Sequence, residues 1–164
     1  MKNFDWTQFT RKIAVKAPLE VIYDAWTRSH ELERWFLSDA TFFNGSGEKV
    51  DKKSRYAVGD RYEWQWYLWD GTEEGMVKDM NGKDHLQFTF AGDCLVDINL
   101  STMDDYTVVS LTQKNIPIDD QNKINTRLGC DSGWSFYLVN LKSIYEGGLD
   151  LRNKNEKLKS MLNA

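Results

Sequence analysis

From Arg61 to Gln113 the chain runs as short stretches of alternating apolar and polar residues, then closes on one long amphipathic stretch beginning near Ser132. In HLQFTF, Leu86, Phe88 and Phe90 share a face; in CLVDINL it is Val96, Ile98 and Leu100, and in TVVSLTQ it is Val109, Leu111 and Gln113. Successive side chains of a strand point to opposite faces, so each run predicts a strand buried on one side, the pattern of an antiparallel sheet. Such a sheet needs a cover. The stretch GWSFYLVNLKSIYEGG supplies one, with Trp134, Tyr137, Leu138, Leu141, Ile144 and Tyr145 on one side of a helix that Gly147-Gly148 should end.

Ahead of the sheet, TRKIAVK (residues 10–16) alternates as a strand and leads into Pro18, which suits the first turn of a helix. Val21, Ile22, Ala25 and Trp26 form the apolar side of that helix, and a second short helix is expected from Ser29 as N-cap, with Leu32, Trp35 and Phe36 inward. NGSGEKVDKKSR (residues 44–55) has no period and reads as a mobile surface loop. The order is one strand, two short helices, about six strands and one long helix. That is α+β, a curved antiparallel sheet of six or seven strands wrapped around the C-terminal helix.

EWQWYLWDG crowds aromatic residues onto both faces of one strand. Asp70-Gly71 predicts a two-residue type I′ turn, which would set Trp64 opposite Val77, Trp66 opposite Gly75 and Glu63 opposite Lys78. Trp64 and Trp66 then face inward. Tyr67 and Trp69, with Met76, face outward.

Composition narrows the function classes. The formal charge is −4, with basic residues scattered except in the tail LRNKNEKLK, so the concentrated cationic surface that nucleic acid requires is missing. MKNFDWTQFT has no signal-peptide character and no apolar run is long enough to span a bilayer, so membrane insertion is not expected and a cytoplasmic location is. Cys94 and Cys130 stand in no metal or redox spacing and read as two buried thiols of a reducing compartment.

APLEVIYDAWT, LERWF, WDGTEEGMV and GWSFYLVNLKSIYEGG, in this order, resemble the START-like (SRPBCC, helix-grip) superfamily. Within it the chain is similar to bacterial START-like proteins related to the C-terminal domain of activators of the ninety-kilodalton heat-shock chaperone ATPase, the run Gly129 to Asn155 carrying the closest likeness. The resemblance implies one START-like domain over residues 1–164, with a core of about 11–155, a charged tail at 152–164 and a cavity between sheet and last helix. The sequence departs from those activators in having no N-terminal chaperone-binding domain ahead of this one, so ATPase activation is not the leading expectation.

Strand parity and helix face nominate the cavity wall: Trp64, Trp66, Phe88, Phe90, Ile98, Val109, Leu111, Gln113, Trp134, Leu138 and Leu141. Gln113 is the one polar group among them and reads as a strand-end residue meeting water, with Tyr62 and Tyr137 at the rim. Asp97 and Asn99 fall at outward parity and should be solvated. His30 and His85 lie on separate elements without ligand spacing, so neither metal nor cofactor is expected. No catalytic residue is assigned. The leading expectation is a protein that binds a hydrophobic or aromatic small molecule or lipid. The second is an interaction module, a homodimer or a chaperone helper, using Tyr67, Trp69 and Met76; a cyclase- or dehydratase-like enzyme comes third and would need an inward acid or base.

Overall fold

The computed structural model describes residues 3–163. Strand β1 (Phe9–Val15) is followed by helices α1 (Leu19–Thr27) and α2 (Ser29–Trp35) and by strands β2 (Asp39–Phe43), β3 (Arg61–Gln65), β4 (Glu73–Met80), β5 (His85–Phe90), β6 (Cys94–Met103) and β7 (Tyr106–Lys114). Then come α3 (Asp120–Asn122), a π-helical segment (Lys123–Leu128) and the long helix α4 (Gly129–Tyr145). The strands form one antiparallel sheet in the order β1-β7-β6-β5-β4-β3-β2. With α4 across its inner face, this is the expected α+β helix-grip.

The alternation places the core. Val96, Ile98, Leu100, Val109 and Leu111 are all buried in one core with Trp134, Leu138 and Leu141 of α4. In α1, Ile22, Ala25 and Trp26 go inward, whereas Val21 stays 42% exposed. Pro18 sits one position ahead of the first helical residue, with extended backbone, so it caps α1 from outside the first turn. Ser29 likewise begins α2 and Arg28 is its N-cap. Gly147, with φ 79°, follows the last turn of α4 as expected.

Strand β2 is an addition to the sequence reading: Ala40 and Phe42 go inward, and Phe42 stacks on Tyr56 at 4.1 Å. Tyr56 hydroxyl in turn donates to Trp26 carbonyl at 2.6 Å, and Arg55 pairs with Asp24 at 2.8 Å. The periodless loop ahead of β3 is therefore pinned at its far end. Asp97 also departs from expectation: it is 9% exposed, accepting from Gln87 at 2.8 Å and pairing with Lys114 at 2.7 Å. Polar neighbours on both flanking strands cover it on the outer face.

The largest correction concerns the aromatic strand. β3 stops at Gln65, and Trp64 pairs with Glu73 instead of Val77, while Gly75 faces Tyr62 instead of Trp66. The slip is even, 77 to 73, so inward residues remain inward. Asp70 and Gly71 do not have the positive φ that a type I′ turn requires; Leu68 does, at 63°. Residues 66–72 form a broad loop, and a Cβ at Gly71 would lie 2.4 Å from the Trp69 ring. Glycine there lets the indole lie against the backbone.

The charged tail is tied down. Arg152, 9% exposed, donates to the carbonyls of Leu37 (2.9 Å), Glu33 (3.1 Å) and Arg34 (2.9 Å) at the end of α2, and to Asp150. Burial would raise the Asp150 carboxyl, but hydrogen bonds from Arg152 and Lys154 outweigh it and hold the group well below the usual range. Beyond it, a single 3-10 turn, Glu156–Leu158, is the only helical part of the tail among the described residues.

Candidate functional site

A cavity of about 500 Å³ opens where α4, the 66–72 loop and the C-terminal strap meet. Phe36, Trp66, Tyr67, Trp69, Phe90, Trp134 and Tyr137 supply aromatic wall, and Asn125, Gly129, Cys130 and Gly133 supply the helical side. Lys159, Ser160 and Met161 of the strap complete the mouth. Phe36 is the hub. It stacks on Trp134 at 5.0 Å and meets Trp66 at 5.4 Å and Tyr137 at 5.0 Å edge-on, arrangements that aromatic quadrupoles favour.

Glycine makes the helical side open. Gly129 and Gly133 lie four residues apart, and a Cβ at Gly133 would meet nothing within 4 Å. Space that a side chain would fill is left as cavity.

Of the expected wall residues, Trp66, Phe90 and Trp134 line this cavity. Trp64, Phe88, Ile98, Val109, Leu111, Leu138 and Leu141 are buried in the layer beneath, where they pack against one another as core. Gln113 is 0% exposed and does not meet water: its Oε1 accepts from Trp134 Nε1 at 3.0 Å. Tyr137 reaches the cavity, and burial pushes its phenol up to about 12. Tyr62 is buried and donates to Thr89 carbonyl, so it stands away from the rim.

Tyr67 and Trp69 do not share the outer face with Met76. The loop swings both to the cavity mouth, where Tyr67 lies under Arg152 and Lys154 at 5.3 and 4.7 Å and Trp69 meets Trp66 at 5.4 Å. Met76 stays in β4 opposite Arg61.

An inward carboxylate exists that the sequence reading overlooked. Glu73 pairs with inward Trp64, and burial raises its carboxyl despite the hydrogen bond donated by Ala91 N–H at 2.7 Å. That bond caps the β5–β6 turn, and Glu73 is absent from the cavity lining. The lining holds no carboxylate and no imidazole; its titratable groups are Tyr67, Cys130, Tyr137 and Lys159. The surface histidines are engaged locally, His30 Nδ1 with Lys52 carbonyl and His85 Nδ1 with Asn99 Oδ1, each at 2.9 Å. Among the described residues no cluster of three His, Cys, Asp or Glu side chains could hold a metal, and no helix is long and apolar enough to cross a membrane.

A family model described as Activator of Hsp90 ATPase homolog 1-like protein matches residues 16–146. No curated protein matches the sequence significantly. Among solved structures, the chain is similar to protein SSP2350 from Staphylococcus saprophyticus, with 21% identity, 88% of this chain and 96% of that one covered, and a TM-score of 0.70. It is also similar to the Aha1 dimer from Colwellia psychrerythraea, with 22% identity, coverage of 86% and 97%, and a TM-score of 0.65. CalU16 from Micromonospora echinospora gives 18% identity, coverage of 88% and 77%, and a TM-score of 0.63. At these identities the likeness speaks for the fold.

Proposed function

The chain belongs to the Activator of Hsp90 ATPase homolog 1-like family, a START-like group, and from that premise we propose that it binds an apolar, ring-bearing small molecule or lipid between sheet and helix. The observation that carries the reading is the cavity of about 500 Å³ with seven aromatic walls. Small-molecule sites commonly enclose roughly 300–1,000 Å³ with apolar lining and few polar groups. Binding without bond-breaking fits a lining that offers no carboxylate or imidazole for general acid–base work. The two free thiols, Cys94 and Cys130, suit a cytoplasmic setting.

Gly133 provides the test. A Cβ at Gly133 meets nothing within 4 Å, so Gly133→Leu should fill the mouth from the helix, and replacing a helical glycine should not cost stability. A naphthalene-based fluorescent probe should bind the wild type at one site and quench tryptophan emission, and Gly133→Leu should abolish this at an unchanged melting temperature. A variant that binds the probe as well as the wild type would remove the cavity from consideration.

A second reading takes the cavity rim as a protein-contact surface, for a second copy or an Hsp90-type chaperone. It is favoured by apolar side chains left open there: Trp69 is 49% exposed, Met161 53% and, on the adjoining helix, Ile124 64% and Leu128 47%. Sedimentation of the wild type and of Trp69→Ser with Ile124→Ser, alone and with the chaperone, tests it. A monomer at every concentration with no chaperone shift counts against it.

A further inference from the structure

Behind the Trp134 wall of the cavity lies a buried donor without a hydrogen-bond partner. Gln113 is fully buried, and its amide orientation is fixed because the Trp134 indole N–H can only donate, so it must meet Oε1. The NH2 end then points elsewhere, and Nε2 has no hydrogen-bond partner. What stands beside it are two sulfurs: burial raises the thiols of Cys94 and Cys130, the latter to about 11, and the Gln113 amide pulls both partly back down. A thiol is a weak acceptor.

Buried N–H donors without acceptors are few in native proteins, and each calls for an explanation. Two others exist among the described residues, the indole nitrogens of Trp26 and Trp64. Trp64 is hemmed in by Phe36, Tyr62 and Phe88. Gln113 differs because it alone of the three is hydrogen-bonded to a cavity-wall side chain, Trp134.

We infer that Gln113 is a specificity-determining donor, and that the ligand carries a carbonyl-type acceptor oxygen on its apolar body, delivered between Cys130 and Trp134 to Gln113 Nε2. The inference rests on the cavity-binding reading and adds the chemical class of the group bound at the deep end. An apolar ligand without an acceptor would leave the amide as it is. One with a ketone, ester or carboxyl oxygen would satisfy it.

The test uses acetonaphthone and ethylnaphthalene, which match in shape and differ in one acceptor. With the intact protein, titrations followed by tryptophan emission should give about fivefold tighter binding of the ketone, the size of one net hydrogen bond. In Gln113→Met the ratio should fall to about one. The infrared carbonyl stretch of bound ketone should lie at lower wavenumber in the wild type than in an apolar solvent, a readout that needs no variant and so survives if Gln113→Met does not fold. Equal affinities in the wild type, an unshifted stretch, or a ketone preference that persists in Gln113→Met each overturn the inference while leaving cavity binding intact. If neither compound binds, cavity binding fails, and this inference fails with it.

Discussion

Arg152 closes the structure from a distance. Its guanidinium meets three carbonyls at the end of α2 and the Asp150 carboxylate, so a charge and three orphaned backbone acceptors satisfy one another in a site almost closed to water. Removing one partner of a buried set leaves the others unmatched. Arg152→Met should lower stability by about 3 kcal/mol, read as a shift of the urea midpoint at unchanged slope. Asp150 links the same cluster to pH. Its folded pKa lies below the unfolded value, so its stabilisation is present above 3.8 and is lost as pH falls from there toward the folded value. Asp150→Asn should therefore be less stable than the wild type at pH 7 by about 1–3 kcal/mol, and the two melting temperatures should converge below that point. If the gap holds constant through acid titration, the carboxylate is not responsible.

At the scale of elements, periodicity carried far. The strands β5, β6 and β7, the helices and the glycine end of α4 were legible because each has one wet and one dry face, and alternation records that directly. Three things were not. The strand β2 is five residues long, too short for its alternation to stand out. The β3–β4 register was misread because Asp-Gly is a local signal, whereas the cavity draws the preceding aromatic residues away from the ladder. Gln113 was taken for a wet strand end because its partner, the Trp134 indole, stands 21 residues away on another element and leaves no local signal. Gly75 shows how tightly the true register is set. A Cβ there would stand 2.4 Å from the Tyr62 hydroxyl, so the ring must shift off Thr89 and off its stack on Trp64. Gly75→Ala should cost about 1–3 kcal/mol and lower the melting temperature by roughly 2–12 °C, despite adding only a methyl group.

Across the whole molecule, the cavity is assembled from parts far apart in sequence: Phe36, the 66–72 loop, α4 and the strap at Lys159–Met161. Parity could nominate inward residues but could not distinguish wall from core, because that depends on where two glycines and a tail leave space. The strap is the least embedded wall. Lys159 and Asp70 join the two lips at 3.7 Å, with side chains 50% and 99% exposed, so the link is easily broken. A chain ending at Asn155 keeps the Arg152 contacts and loses this wall. It should melt close to the wild type and release a bound probe roughly fivefold faster in stopped-flow displacement. Equal release rates would mean that the strap does not limit exit.

The placement of β1 beside β7, with Phe9 paired to Gln113, also bears on how the protein is made. β1 leaves the ribosome about a hundred residues ahead of β7, the strand it pairs with. During translation the Trp26–Trp35 pair and the aromatic β3 stay uncovered until β7 and then α4 emerge. Closure of this sheet is a late event on the nascent chain, and the interval before it is when a holding chaperone has the most apolar surface to grasp.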